Sequence, residues 1–239
     1  LNIIFKMKIA LLGYGRMGKE IEKIALSRGH EIVIRKDEDD KIDINIADVA
    51  IDFSVPSSAF NNITNCINNN VPVISGTTGW LEKYDEAVAL CKEKNSAFIY
   101  ASNYSLGVNI FFELNKQLAK MMNTLEDYNI SMEEIHHTKK LDAPSGTAIT
   151  LAEGIIENSS KSNWELESKT SEENIPIVAK RIPEVPGTHT VWYDSEVDSI
   201  EIKHTAHSRK GFALGAVVAA EWIVGKKGVF TMRDVLNIR

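Results

Sequence analysis

Residues 8–12 read KIALL, a short apolar run that stops at Gly13-Tyr14-Gly15-Arg16-Met17-Gly18 and passes at once into KEIEKIALSRG, whose apolar residues recur at helical spacing. This order of strand, tight glycine turn and helix restricts the fold more than any other feature of the chain. In such a unit Gly13 permits the turn, Gly15 lets a pyrophosphate approach the main chain, and Gly18 lets the helix pack on the strand. The helix N-terminus presents free N–H groups and a partial positive charge to an anion. Gly13, Tyr14, Gly15, Arg16, Met17 and Gly18 are therefore read as a dinucleotide turn. A glycine-rich turn that binds nothing is the competing reading of the motif taken alone.

The next segments repeat the pattern. Strand-like runs at 31–35 (EIVIR), 49–53 (VAIDF), 71–75 (VPVIS) and 97–100 (AFIY) alternate with helical stretches, which implies right-handed crossovers and a parallel sheet. Ligands of such sheets sit at the carboxyl ends of the strands. There the chain places Ser54, then Gly76, Thr77 and Thr78, then Ala101, Ser102, Asn103 and Tyr104, as candidate contacts for ribose and nicotinamide. Ordinary turn chemistry is the better reading of any one of them taken singly. The second strand ends in Arg35 and Lys36, which suit the 2′-phosphate of NADPH, and the acids at 37–40 beyond them suit the ribose hydroxyl of NADH. The start, LNIIFKMKIALLG, is interrupted by Lys6 and Lys8 and reads as a first strand rather than a signal peptide or membrane span. Met7 is a candidate natural start, with residues 1–6 an extension.

The chemistry concentrates later, in 134–147, EIHHTKKLDAPSGT. An alternating strand over 128–135 enters a polar loop with His136, His137, Lys139 and Lys140. The loop ends where Ser145 or Asp142 can cap a helix running to 158. Lysines before a helix N-terminus make a place for an anion. Taken singly, a histidine is more often structural and a lysine pair more often solvated. After a helix over 107–122 and this loop come a polar stretch at 159–174, read as a surface loop, and strand-like runs at 177–182, 188–193 and 199–204. The expected architecture is α/β, with an N-terminal Rossmann-type parallel sheet and a second α+β domain on an open mixed sheet, dividing near Tyr104. The apolar helix at 211–225 is shorter than a membrane span and carries Glu221, so it reads as a buried packing helix.

The formal net charge of −6 argues against a nucleic-acid binder, which needs a basic face. Cys66 and Cys91 have neither metal-ligand spacing nor a pairing pattern, so no metal is called for and a reducing, cytoplasmic setting is expected.

Taken together, the motifs resemble one family, the 4-hydroxy-tetrahydrodipicolinate (dihydrodipicolinate) reductases of lysine and diaminopimelate synthesis. The matching runs are GYGRMG at 13–18, IDFS at 51–54, GTTG at 76–79, SNYSLGVN at 102–109, EIHHTKKLDAPSGTA at 134–148, HTAHSR at 204–209 and FTMRDVL at 230–236. The glycine turn is one residue shorter than the G-x-x-G-R-M-G of many members. The resemblance implies a dinucleotide domain of residues 1–104 plus 209–239, a substrate and tetramerisation domain of 105–208, and a homotetramer. It implies His136 as catalytic acid/base, Lys140 as proton donor, His137 as a substrate contact, and Gly146 with Thr147 as the seat of a substrate carboxylate. The reaction implied is NADPH- or NADH-dependent reduction of a cyclic dicarboxylate imine. Two rivals stand beside it: another two-domain imino-acid or amino-acid dehydrogenase, which would not need the His-His-x-x-Lys run, and a dinucleotide-sensing protein, which would carry a basic patch absent here.

Overall fold

The computed structural model describes residues 6–37, 41–167 and 171–238. Residues 38–40, the acids beyond Asp37, and residues 1–5 of the expected N-terminal extension lie outside that description.

The first elements are β1 (Lys8–Leu12), α1 (Arg16–Ser27), β2 (Glu31–Lys36), β3 (Val49–Asp52), α2 (Pro56–Asn68), β4 (Val73–Ser75), α3 (Tyr84–Glu93) and β5 (Ala97–Tyr100). There follow α4 (Leu106–Met122), β6 (Asn129–His136), α5 (Gly146–Ile156), β7 (Asn163–Leu166), β8 (Asn174–Arg181), β9 (Gly187–Asp194) and β10 (Ser199–Ala206). The chain closes with α6 (Lys210–Ile223), β11 (Gly228–Phe230) and α7 (Met232–Val235). Two compact units result: residues up to Leu106 together with those from Lys210, and Gly107–Arg209.

In the first unit six parallel strands run in the order β11-β5-β4-β3-β1-β2. The strand β11 is a finding that the sequence reading lacked: the segment 228–230 pairs with β5 and extends the sheet. All of β3 and all of β1 but Lys8 are buried, as strands covered on both faces must be. One apolar layer joins Ile9, Leu11 and Ile51 to Ala213, Ala216 and Val217 of α6. Small residues let that helix sit directly on main chain, for a Cβ at Gly215 would stand 1.7 Å from the Tyr104 carbonyl oxygen. Glu221, the one acid of α6, takes Arg28 Nε at 2.6 Å and His30 Nε2 at 2.8 Å.

In the second unit the sheet order is β10-β9-β6-β8-β7, with β6–β8 and β8–β7 parallel and the other pairs antiparallel. It is an open mixed sheet. Strand β7 lies inside the stretch expected to be a loop. Its four residues give little alternation to read, and pairing with β8 holds them. Along β6 burial alternates, so that Ile130, Met132, Glu134 and His136 share one face. The apolar members of that face pack with Phe111, Leu118 and Met122 of α4 and with Leu151 and Ile155 of α5. Glu134 and His136 continue the row where the core gives way to polar groups. Among the described residues no helix is long and apolar enough to cross a membrane.

Candidate active site

Two polar constellations, one in each unit, gather the residues singled out above.

In the first unit the order of strands reverses between β1 and β3, and the loops after β1, β3, β4 and β5 all leave from the carboxyl edge. Gly13 (φ +97°) has no room for a side chain, because a Cβ would lie 2.2 Å from the Phe53 carbonyl oxygen. A Cβ at Gly18 would lie 2.3 Å from the Gly13 oxygen, so the first turn of α1 packs against the loop itself. Gly15, the N-cap of α1, is open: among the described residues nothing lies within 4 Å of its Cβ position, and no side chain caps the helix. Free N–H groups, an open approach and a cavity lined by Gly13, Gly15, Lys36, Ser54, Ser58 and Asn62 fit a dinucleotide pyrophosphate. Despite the shortened turn, Gly13 and Gly18 stand where no side chain fits.

Asp52, at the end of β3, is fully buried and organises this edge. It accepts from Ser54 Oγ (2.7 Å), Asn62 Nδ2 (3.0 Å), Ser75 Oγ (2.8 Å) and Thr77 Oγ1 (2.7 Å). Burial pushes its carboxyl upward, against the lowering effect of those four bonds. Gly76 rests on the Phe53 ring, where a Cβ would come within 2.3 Å. Thr77 is tied down by Asp52, while Thr78 and Ser102 are exposed and Ala101 and Asn103 are half-buried. The Tyr104 side chain is placed elsewhere: its ring is in the core, and its hydroxyl donates to the Ser75 carbonyl at 3.0 Å, which leaves only its main chain for a ligand. Arg16 is exposed, and Met17 packs partly into the core. Arg35 turns away from the cavity. Its Nε donates to Glu22 Oε1 at 3.0 Å and its Nη2 to the same oxygen, and the Tyr14 hydroxyl bonds the other Glu22 oxygen. Lys36 faces the cavity, its Nζ donating to Asn62 Oδ1 at 2.7 Å.

In the second unit the 134–147 run folds as a strand end, a turn and a capped helix. Ser145, not Asp142, is the N-cap of α5, its Oγ accepting from the Ala148 N–H at 3.2 Å. Gly146 is exposed, with nothing within 4 Å of its Cβ position, and Thr147 is half-buried, so the helix start is open to a carboxylate. His136 is buried at the end of β6 and His137 is half-buried beyond it. The Lys140 N–H donates to the His137 carbonyl at 3.1 Å, closing a turn that leaves Lys139 exposed and brings Lys140 Nζ to Asp142 at 2.8 Å.

Sequence reasoning assigned no role to the group at the centre of this cluster. Glu134, with no exposed surface, accepts from the Ser145 N–H (3.0 Å) and from Arg181 Nη2 (3.2 Å), and its Oε2 lies 3.3 Å from His136 Nδ1. Burial opposes its charge, but the contacts from His136 and Ser145 prevail and hold the carboxyl down to about 2. His189 of β9 stands opposite Glu134 in register, and its Nε2 is 3.1 Å from Ser145 Oγ. Burial, then the neighbouring His136, pushes His189 down to about 3, so its ring is neutral near pH 7. Ligand atoms of Glu134, His136 and His189 converge within 4.8 Å. A cation there would meet the Arg181 guanidinium and the Ser145 N–H already on the carboxylate, so the cluster reads as a hydrogen-bonded network.

Known proteins resemble this chain along nearly its whole length, and the second of the two matching family models runs on past Lys210 into the segment that belongs to the first unit. Residues 7–104 match the family model "Dihydrodipicolinate reductase, N-terminus", and residues 107–236 match "Dihydrodipicolinate reductase, C-terminus". The 4-hydroxy-tetrahydrodipicolinate reductase of Christiangramia forsetii is 61% identical over 97% of this chain and 98% of its own. That of Thermosipho africanus is 36% identical over 97% and 98%. A dipicolinate-bound dihydrodipicolinate reductase from Paenisporosarcina sp. TG-14 shares the fold at 22% identity, with a TM-score of 0.77 over 98% of this chain and 100% of that one. On both halves of the sequence, and on relatives that run its whole length, the chain belongs to the dihydrodipicolinate reductase family.

Proposed function

We propose that this chain is a 4-hydroxy-tetrahydrodipicolinate reductase, an NAD(P)H-dependent oxidoreductase that reduces the cyclic dicarboxylate to tetrahydrodipicolinate on the diaminopimelate route to lysine. The observation that carries the reading is the pairing, in a chain of this family, of an open glycine turn at Gly13–Gly15 with a proton-handling cluster beside an open helix start at Gly146. Loss of the 4-hydroxyl as water leaves a conjugated cyclic imine, and bound NAD(P)H would supply a hydride to its C4.

The residues of the chain do the rest. The N–H groups at Gly146 and Thr147 hold a substrate carboxylate, helped by the α5 dipole, and His137 adds a contact. Electrons pushed toward the ring nitrogen call for a proton, which Lys140 donates and His136 handles as acid/base. Lys140 is paired with Asp142 in this structure, so substrate has to compete for its ammonium group; an incoming carboxylate can do so. Residues 13–18, Gly76, Thr77, Thr78, Ala101, Ser102, Asn103 and the main chain of Tyr104 hold the cofactor, with Arg35 or Lys36 at the ribose end. A homotetramer in the cytoplasm is the assembly and setting we propose; the two buried free thiols, Cys66 and Cys91, suit a reducing compartment.

The test is oxidation of NADPH and NADH, followed by their absorbance, with freshly made synthase product as substrate. Oxidation that depends on the ring compound is expected. Protein that binds dinucleotide but oxidises neither cofactor would overturn the reading in favour of a different imino-acid dehydrogenase.

A further inference from the structure

The buried polar side chains of the second unit form a hub whose centre is a carboxylate rather than a proposed catalytic group. Strand alternation sets Glu134 and His136 on one face of β6, the antiparallel register sets His189 opposite Glu134, and the parallel register sets Arg181 beside His136. Ser145 closes the group from the start of α5. Of the two nitrogens of His136, Nδ1 is buried and lies 3.3 Å from Glu134 Oε2, and among the described residues it has no aligned hydrogen-bond partner. A small rotation of the ring turns that contact into a full hydrogen bond, as often happens when an active site closes on its substrate. The other nitrogen, Nε2, lies beside Gly187, where even a Cβ would stand only 3.1 Å away. The ring thus has a carboxylate at one nitrogen and, at the other, the main chain of Gly187, where a side chain would crowd it.

We infer that Glu134 is the positioning residue for His136, fixing its proton on Nδ1 so that Nε2 is the atom that exchanges a proton at the substrate. This rests on the acid/base role given to His136 above. A carboxylate that accepts one imidazole N–H selects the tautomer and the ring orientation at once. Here the same Oε2 also accepts the Ser145 N–H, so a single group sets both the ring and the helix start that receives the substrate carboxylate. Arg181 balances the charge of Glu134 through the other oxygen, and His189 Nε2, on a ring that is neutral near pH 7, stands 3.7 Å from Oε2, beyond hydrogen-bond distance. Glu134 touches no substrate in this scheme and acts through its neighbours.

The experiment has a spectroscopic and a kinetic arm. In full-length protein labelled with 15N-histidine, the His136 resonances are identified by their loss in His136→Gln. At a pH where the ring is neutral, the wild type is expected to show a protonated Nδ1 and an acceptor-like Nε2, and Glu134→Gln to lose that preference. In Glu134→Gln, kcat is expected to fall about 10- to 100-fold, up to the lower end of what acid–base catalysis supplies, while NADPH Kd moves less than about threefold. A wild-type His136 carrying its proton on Nε2 would overturn the inference, as would a folded Glu134→Gln with unchanged kcat. If Glu134→Gln does not fold, the wild-type spectrum decides alone. A wild type with the expected tautomer but no turnover of the ring substrate would count against the function proposed above and leave the positioning of His136 standing.

Discussion

Two buried carboxylates, Asp52 in the first unit and Glu134 in the second, occupy similar places near the carboxyl ends of parallel-paired strands, yet their surroundings drive them in opposite directions. Asp52 is held by hydroxyls and one amide, with the nearest cation, Lys36, a step away through Asn62. Such donors satisfy the carboxylate without offsetting its desolvation, and its carboxyl rises. Glu134 has a guanidinium, an imidazole and a helix-start N–H, and its carboxyl falls to about 2. The first arrangement ties loops of a binding edge together. The second keeps charge beside His136, the proposed acid/base. Variants near Glu134 should therefore act on turnover, and variants near Asp52 on cofactor binding.

The largest effect is expected at Lys140. Replacing it by alanine removes the proposed proton donor, and kcat should fall about 10²- to 10⁴-fold with cofactor affinity nearly unchanged. Lys139→Ala is the contrast: that side chain is exposed one residue earlier in the same turn, and its loss should leave kcat within about twofold, as for surface changes generally. Steady-state kinetics on the two variants decide the matter. Equal losses would mean that the loop responds to charge in general and that the assignment to Lys140 is wrong.

Next in size is a difference in how the two carboxylates couple stability to pH. The folded-state value of Glu134 is depressed from an ordinary 4.5 to about 2, so its contribution is present above 4.5 and lost as pH falls toward 2. For a fully buried group such a shift is on the order of 3 kcal/mol. Asp52 is raised, so its contribution is present below its ordinary 3.8 and lost as pH rises through the folded-state value. Urea unfolding between pH 3 and pH 8 should show the stability gap between wild type and Glu134→Gln widening as pH rises, and that between wild type and Asp52→Asn narrowing. Slopes of one sign for both variants would break the contrast between the two sites.

Most of the framework follows from periodicity and turn chemistry. The glycine turn, the alternation along β6 and the Ser145 cap are local signals, each carried by neighbours in sequence. The parts that escaped are those decided by partners far along the chain. Strand β7 is four residues at a sheet edge, and β11 is three; both depend on pairing to exist. Glu134 sits in full view inside the 134–147 run, but its role comes from His189 and Arg181, which reach it only through strand register. Tyr104 illustrates the converse. It lies in the loop where contacts to a cofactor are expected, and the core takes its ring because its hydroxyl finds the Ser75 carbonyl. Arg35 and Lys36, adjacent at the end of β2, cannot be told apart from sequence. Glu22, on the neighbouring helix, separates them.

That separation yields the smallest and most specific prediction. On an extended strand, adjacent side chains point to opposite faces, so only one of the pair can face the cavity at a time. Arg35 is committed to Glu22 through two nitrogens, and the Tyr14 hydroxyl completes the cluster, so turning it toward a 2′-phosphate means leaving a charged partner behind. Lys36 is already in the cavity wall, and among the described residues its Nζ is held by a neutral amide oxygen that a phosphate can outcompete. Lys36→Ala should lower kcat/KM for NADPH about tenfold, a loss of about 1.4 kcal/mol, and should change the value for NADH little, since only NADPH carries the extra charge. Arg35→Ala should alter the NADPH-to-NADH ratio less. The reverse ranking would mean that Arg35 leaves Glu22 when the cofactor arrives, and that this edge of the first unit rearranges to bind.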